Sequence, residues 1–135
     1  MAESKAEAKV SGWVGWVLFA GVVLMVAGAV QALYGLGALL NNSFLLVTSA
    51  RAVVVDVTAW GWVHLIGGLL LIAAGYSVTT GNAFGRIVAV VLTSLALVAN
   101  MTYVTAYPVW TIMLITVNVL VLYALVVHGK DVRKV

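Results

Sequence analysis

The sequence predicts an all-α membrane protein, a four-transmembrane-helix bundle with a short extracytoplasmic β-hairpin between helices 1 and 2. Of the 135 residues, 64% are hydrophobic and 8% are charged, whereas a soluble domain is typically about 25% charged. No charged residue occurs in the stretches 10–50, 57–85 and 87–129, and a spanning helix needs about 20 apolar residues. Pro108, the only proline, divides the longest of these stretches at the point where two helices need a turn. This pattern excludes a soluble globular domain and a disordered chain.

A single domain, 1–135, is expected, and turn residues and local composition define its elements. We predict helices at about 13–40, 58–78, 83–107 and 108–128, and a hairpin at about 44–57. The polar segment 41–43 ends the first helix, and two short runs rich in β-branched residues follow it. These runs are too short to cross a membrane as a helix, so they predict the hairpin. Thr58 is expected to cap the second helix.

The distribution of positive charge predicts the orientation of the chain. Four spanning helices place both termini on one side of the membrane. Six of the seven Lys and Arg residues then share that side, and Arg51 lies on the other. Positive charge accumulates on the cytoplasmic side of membrane proteins. We therefore predict a multi-pass protein of the cell (plasma) membrane with both termini in the cytoplasm.

Glycines recur every seven residues on the first two helices. Seven residues make nearly two helical turns, so each set lines one stripe, and small residues let helices in lipid approach closely. The pattern predicts that helices 1 and 2 pack against each other, and the alternative is an interface between copies of the chain. The predicted packing residues are Gly21, Gly28, Gly35, Gly61, Gly68 and Gly75.

Each predicted helix also carries polar side chains on the stripe expected to face its neighbours. From the 1.5 Å rise per residue, these side chains are expected at similar depth in the outer half of the bundle. Two interpretations stay open: interhelical hydrogen bonds that fix which helices pair, or a polar pocket for a lipid-phase molecule, a quinone or a lipid head, with His64 as donor or acceptor. The candidate ligand-binding residues are Gln31, His64, Asn100, Tyr103 and Asn118.

The chain lacks the residue patterns of several function classes. It has no Cys, and no Asp or Glu lies in a predicted helix core, whereas ion-coupled transporters usually need an intramembrane carboxylate. His64 is the only histidine predicted within the membrane, and His128 lies at the opposite surface, so no pair of histidines within one chain can hold a haem. We expect no enzyme activity, no metal, no cofactor and no nucleic acid partner.

Several motifs resemble one family. They are DVTAWGWVHL at 56–65, GNAFGR at 81–86, and Asn100 followed by Tyr107-Pro108-Val109-Trp110. The chain resembles a family of small four-helix membrane proteins widespread in actinobacteria and known only as a domain of unknown function. The resemblance covers about residues 13–129 and implies the same four-helix fold, without an established activity.

Three functional hypotheses follow. The first is a structural or interaction protein, an accessory subunit of a larger membrane complex or a homo-oligomeric module. Its candidate partner interface is the apolar face of the hairpin, with Phe44, Leu46, Val53 and Val55. The second is the binding of a quinone or lipid in the polar pocket, and the third is a small transporter or channel.

Overall fold

The structure, a computed structural model, describes residues 12–41, 43–47 and 52–134, and it describes the backbone only at 43–55, 133 and 134 within these ranges. Its elements are helix α1 (Gly12–Leu40), strands β1 (Ser43–Val47) and β2 (Ala52–Asp56), helices α2 (Thr58–Thr79), α3 (Ala83–Thr102) and α4 (Pro108–His128), and a 3-10 turn at Asp131–Lys134. Each of the four helices is long and apolar enough to cross a membrane. The chain is therefore a small multi-pass membrane protein.

The four helices form a ring in which neighbours along the chain are antiparallel. α1 packs on α2 and α4, and α3 packs on the same two helices. The contact between α1 and α2 is by far the most extensive. Gly81 closes the tight turn between α2 and α3 with a φ of 73°, a left-handed conformation that glycine adopts without strain. The Asn82 side chain then caps α3 by accepting a hydrogen bond from Phe84 N at 2.9 Å.

The buried core lies at one end of this ring. We call the segments 12–26, 70–93 and 119–134 the termini end, and 27–41, 57–69 and 94–118 the hairpin end. All buried hydrophobic side chains of the described residues lie at the termini end, with Val17, Leu125 and Ala89 among the most enclosed. At the hairpin end, the buried residues in the described part of the chain are four glycines and Thr111.

The predicted fold class is wrong in counting a hairpin among the elements that make the fold. β1 and β2 pair with each other in antiparallel register, from Ser43 opposite Asp56 to Val47 opposite Ala52. Apart from the pairing of β1 with β2, the extensive contacts between the described elements are contacts between helices. Every residue of the buried core cluster belongs to a helix. A two-stranded ribbon alone has too little surface to form a core. The fold is therefore all-α and consists of the four helices.

Two predicted helix boundaries also need correction. α3 ends at Thr102 and not at Tyr107, because the chain needs a turn before Pro108 and proline disfavours a helical residue in front of it. The N–H groups of Ala106 and Tyr107 instead donate to the Tyr103 carbonyl.

At the start of α2, Thr58 is the first helical residue and not the cap. The Asp56 carboxylate accepts a hydrogen bond from Thr58 N at 2.9 Å. Hydrogen bonds from the Thr58 side chain and backbone hold the pKa of Asp56 below its ordinary value, because they stabilise the carboxylate form.

Candidate functional site

Direct contact between glycines positions α1 against α2. A Cβ atom added to Gly68 would lie 2.5 Å from the Gly28 carbonyl oxygen, and one added to Gly28 would lie 2.6 Å from the Gly68 carbonyl oxygen. The contacting atoms are backbone, so a side chain at either position would force the helices apart. The same reciprocal contact recurs along the helices, so that the pairs are Gly21 with Gly75, Gly28 with Gly68, and Gly35 with Gly61.

Beside this glycine seam, a groove runs between α1 and α2 at the hairpin end. Its volume is about 820 Å³. Along α1 it extends from Val30 to Asn41, which is about 16 Å at 1.5 Å per residue. We call it the His64 groove, and its lining residues are Val30, Leu33, Tyr34, Gly37, Ala38, Asn41, Val57, Trp60 and His64.

The His64 groove combines an apolar wall with a few polar groups. Val30, Leu33 and Ala38 supply aliphatic surface, whereas Tyr34 and Asn41 supply side chains that both donate and accept hydrogen bonds. Among the described residues, no group of three or more His, Cys, Asp or Glu side chains has the arrangement of a metal site. The lining is therefore mostly apolar, with a few groups that can form hydrogen bonds.

His64 contributes an imidazole ring to the lining of the groove. Its Nδ1 atom lies 3.1 Å from the Trp60 carbonyl oxygen, one turn earlier on α2. Its ring is half-buried and lies beside the Trp60 indole, with centroids 4.3 Å apart. A carbonyl oxygen only accepts, so Nδ1 must carry the proton of this hydrogen bond. In the neutral ring, Nε2 is then an acceptor, and it has no partner in the described part of the chain.

The five residues of the predicted polar pocket do not lie together in this groove. His64 lines it, whereas Gln31 lies against Gly67, with Nε2 3.0 Å from where a Cβ of that glycine would be. Asn100 and Asn118 are half-buried on α3 and α4, and Tyr103 is exposed in the turn between these helices. No side-chain hydrogen bond joins any two of the five among the described residues.

The shorter α3 explains part of this separation. Asn100 lies two residues from the observed end of the helix, which is about 3 Å along its axis. Asn118 lies about 15 Å from the start of α4. The two amides were expected at similar depth only because the predicted helix continued to Tyr107.

The groove contains residues that the sequence-based search did not select. Among them are Tyr34 and Asn41, which are seven residues apart in the chain, and Val57 and Trp60, which precede His64 by seven and four residues. Aromatic and polar residues at this spacing, one position away from a glycine stripe, would have indicated the groove. The predicted partner interface of Phe44, Leu46, Val53 and Val55 has its side chains outside the described part of the structure.

The termini end contains a cluster of aromatic rings and a second groove. Trp13 stacks on His128 with ring centroids 3.8 Å apart and an interplanar angle of 7°, and Tyr123 completes this aromatic cluster. The aliphatic part of Arg86 covers Gly129, where a Cβ would collide with it. A second, smaller groove of about 280 Å³ between α1 and α4 is lined by apolar side chains such as Phe19 and Leu120.

Comparison with known proteins gives one match. A family model described as "Domain of unknown function (DUF7144)" matches residues 16–130. No curated protein and no solved structure matches the chain.

Proposed function

We propose a ligand-binding function for this small multi-pass membrane protein, which belongs to the family described as "Domain of unknown function (DUF7144)". The ligand is an amphipathic molecule dissolved in the lipid phase, of the size of a quinone or a single lipid. It occupies the His64 groove with its polar head near His64 and its apolar part along α1.

This proposal rests on the composition and size of the groove. Small-molecule sites typically have volumes of about 300–1,000 Å³ and consist of apolar walls with a few polar groups. The His64 groove, at about 820 Å³, has both properties. His64 lies six residues into α2, about 9 Å along the axis. A polar head at that depth would leave its apolar tail within the hydrocarbon layer.

The glycine contacts weaken the rival hypothesis of a homo-oligomeric module. Gly28 and Gly68 contact each other within one chain, so this stripe is occupied and does not offer a close-packing surface to a second copy. An accessory role in a larger complex and a homo-oligomer stay predictions from the sequence.

The charge distribution supports an orientation for the groove. Arg86, in the first turn of α3, and Lys130, after α4, both lie at the termini end. Because positive charge favours the cytoplasmic side, we place both termini in the cytoplasm of a cell with this protein in its plasma membrane. The His64 groove then lies in the outer half of the bilayer.

Native mass spectrometry of protein extracted gently from its own membrane tests this proposal. We expect a reproducible added mass, which is lost in Gly37→Leu. Gly37 lines the groove, and a Cβ there meets no atom within 4 Å, so a leucine side chain has open space at its base and extends into the groove. Gly15→Leu is the matched control, since a Cβ at Gly15 also meets nothing but lies outside the groove.

Two outcomes would contradict the proposal: no added mass on the unaltered protein, or a mass that Gly37→Leu retains. Asn118→Leu separates the groove from the polar pocket predicted from the sequence, because only the latter contains Asn118. The same spectra report stoichiometry and therefore test the homo-oligomer.

A further inference from the structure

We infer that the His64 groove selects a head group with a hydroxyl that both donates and accepts a hydrogen bond, so that it binds a quinol in preference to the corresponding quinone. This inference rests on the proposed ligand-binding function and names the chemical class of the ligand. It concerns binding and includes no redox step.

The hydrogen bond that His64 already makes determines which nitrogen of its ring is an acceptor. Nδ1 donates to the Trp60 carbonyl oxygen at 3.1 Å, one turn earlier on the same helix. The neutral imidazole has one N–H, which this contact uses, so Nε2 presents a lone pair. An acceptor that loses its hydration on ligand binding needs a donor from the ligand, because a buried polar group without a hydrogen-bond partner weakens binding.

Trp60, whose ring lies beside that of His64, supplies a hydrogen-bond donor. The Trp60 indole N–H can only donate, and the Trp60 and His64 rings lie beside each other in the lining, with centroids 4.3 Å apart. The groove therefore has an acceptor and a donor on adjacent rings. One hydroxyl between the two rings would satisfy both, since it can donate to Nε2 and accept from the indole. A quinone carbonyl satisfies the indole alone and leaves Nε2 without a partner.

The other polar groups of the lining do not discriminate. The Tyr34 hydroxyl and the Asn41 amide each donate and accept, so they pair with either form of the head group. The preference is consequently assigned to His64. Two sources supply a hydroxyl head on an apolar tail: a quinol, or a neutral glycerolipid such as diacylglycerol.

The test measures equilibrium binding to the full chain in nanodiscs under anaerobic conditions, with a decyl-substituted benzoquinol, its quinone and dioleoylglycerol as probes. We expect the quinol to bind about tenfold more tightly than the quinone, which corresponds to about 1.4 kcal/mol. The two forms have the same carbon skeleton and tail and differ in whether the head carries hydroxyls or carbonyls, so the ratio reports on that difference. If the quinol binds more tightly than the quinone and dioleoylglycerol binds more tightly than both, the hydroxyl head is supported and a glycerolipid is identified as its source.

Variants at position 64 test whether His64 causes the preference for the quinol. His64→Phe retains a ring beside Trp60 and removes the acceptor, so the quinol-to-quinone ratio should fall to about one while quinone affinity changes less than about twofold. His64→Gln, whose amide can accept, should retain part of the preference. A purely structural role of His64 would lower both affinities together and leave their ratio unchanged.

The outcomes separate the inference from the proposed function. Equal binding of quinol and quinone, or tighter binding of the quinone, overturns the inference, and the groove is still a binding site if Gly37→Leu abolishes both. If none of the three probes binds, or if Gly37→Leu binds them as well as the unaltered protein does, the proposed function fails and the inference fails with it.

Discussion

The two ends of the bundle are held together in different ways. At the termini end, side chains from all four helices interlock: Val17, Leu71, Ala89 and Leu125 belong to one buried cluster. At the hairpin end, α1 and α2 touch through glycine backbone, and the space beside them is the His64 groove. Side-chain packing fills space, whereas backbone contact brings helices together and leaves room at the flank. Buried side chains therefore stabilise one half of this small bundle, whereas glycine backbone contacts stabilise the other half and leave room for a ligand beside them.

We expect the largest effect on stability from a substitution in the glycine seam between α1 and α2. Gly68→Ala adds a Cβ that would lie 2.5 Å from backbone atoms of α1, which cannot rotate away. We expect a loss of about 3 kcal/mol in the free energy of unfolding, measured by steric trapping or SDS titration in bicelles. Gly15→Ala is the control, since its Cβ has open space. Equal stability of the two variants would show that the helices do not depend on this contact.

The second prediction contrasts the two ends directly. Leu125→Ala leaves a cavity at the termini end, where Leu125 is 0% exposed, whereas Leu95→Ala alters a side chain that is 63% exposed at the hairpin end. We expect the first variant to lose about 2 kcal/mol through lost packing contacts and the second to lose under about 0.5 kcal/mol. The same unfolding assay compares them. Similar losses would mean that the core is not confined to the termini end.

A smaller effect is expected from the aromatic cluster that holds α1 to α4. Trp13→Leu removes the stacking on His128 and should cost about 1 kcal/mol. His128→Phe keeps a ring against Trp13 and should retain most of that stability. The loss should be specific to the termini end, so quinol affinity of Trp13→Leu should stay unchanged. A loss of ligand binding in that variant would show that the two ends are coupled.

The smallest effect concerns the start of α2, next to the groove. The folded-state pKa of Asp56 is lowered by the hydrogen bonds from Thr58. The stabilisation is therefore present above the ordinary pKa of 3.8 and is lost as the pH falls through the lower folded-state value. The NMR shift of the Thr58 amide should titrate with a midpoint below 3.8. Asp56→Asn should abolish this titration, and a midpoint above 3.8 would contradict the predicted direction.

Sequence reasoning was most successful where a property belongs to one helix at a time. Four apolar segments, the break between the second and third helices and Pro108 at the start of α4 all follow from local composition. It was wrong at the end of α3, where the helix stops at Thr102 because the chain has to turn before Pro108. It placed His64 on the glycine stripe of α2, but it joined His64 to Asn100 and Asn118, which belong to other parts of the bundle. Depth along a helix axis is therefore an incomplete guide to which side chains meet.

The amino-acid sequence alone indicates a small membrane protein of four helices, because the cost of placing charge in hydrocarbon restricts charged residues to the ends of the helices and the segments outside them. It also determined which stripes of α1 and α2 could approach, because only glycine leaves the backbone uncovered. Only the packing of the helices determines that the side-chain core lies at the termini end and that Tyr34, Asn41 and His64 line one groove. These features depend on the distance and relative position of two helices, and those are set by contacts between residues far apart in the chain.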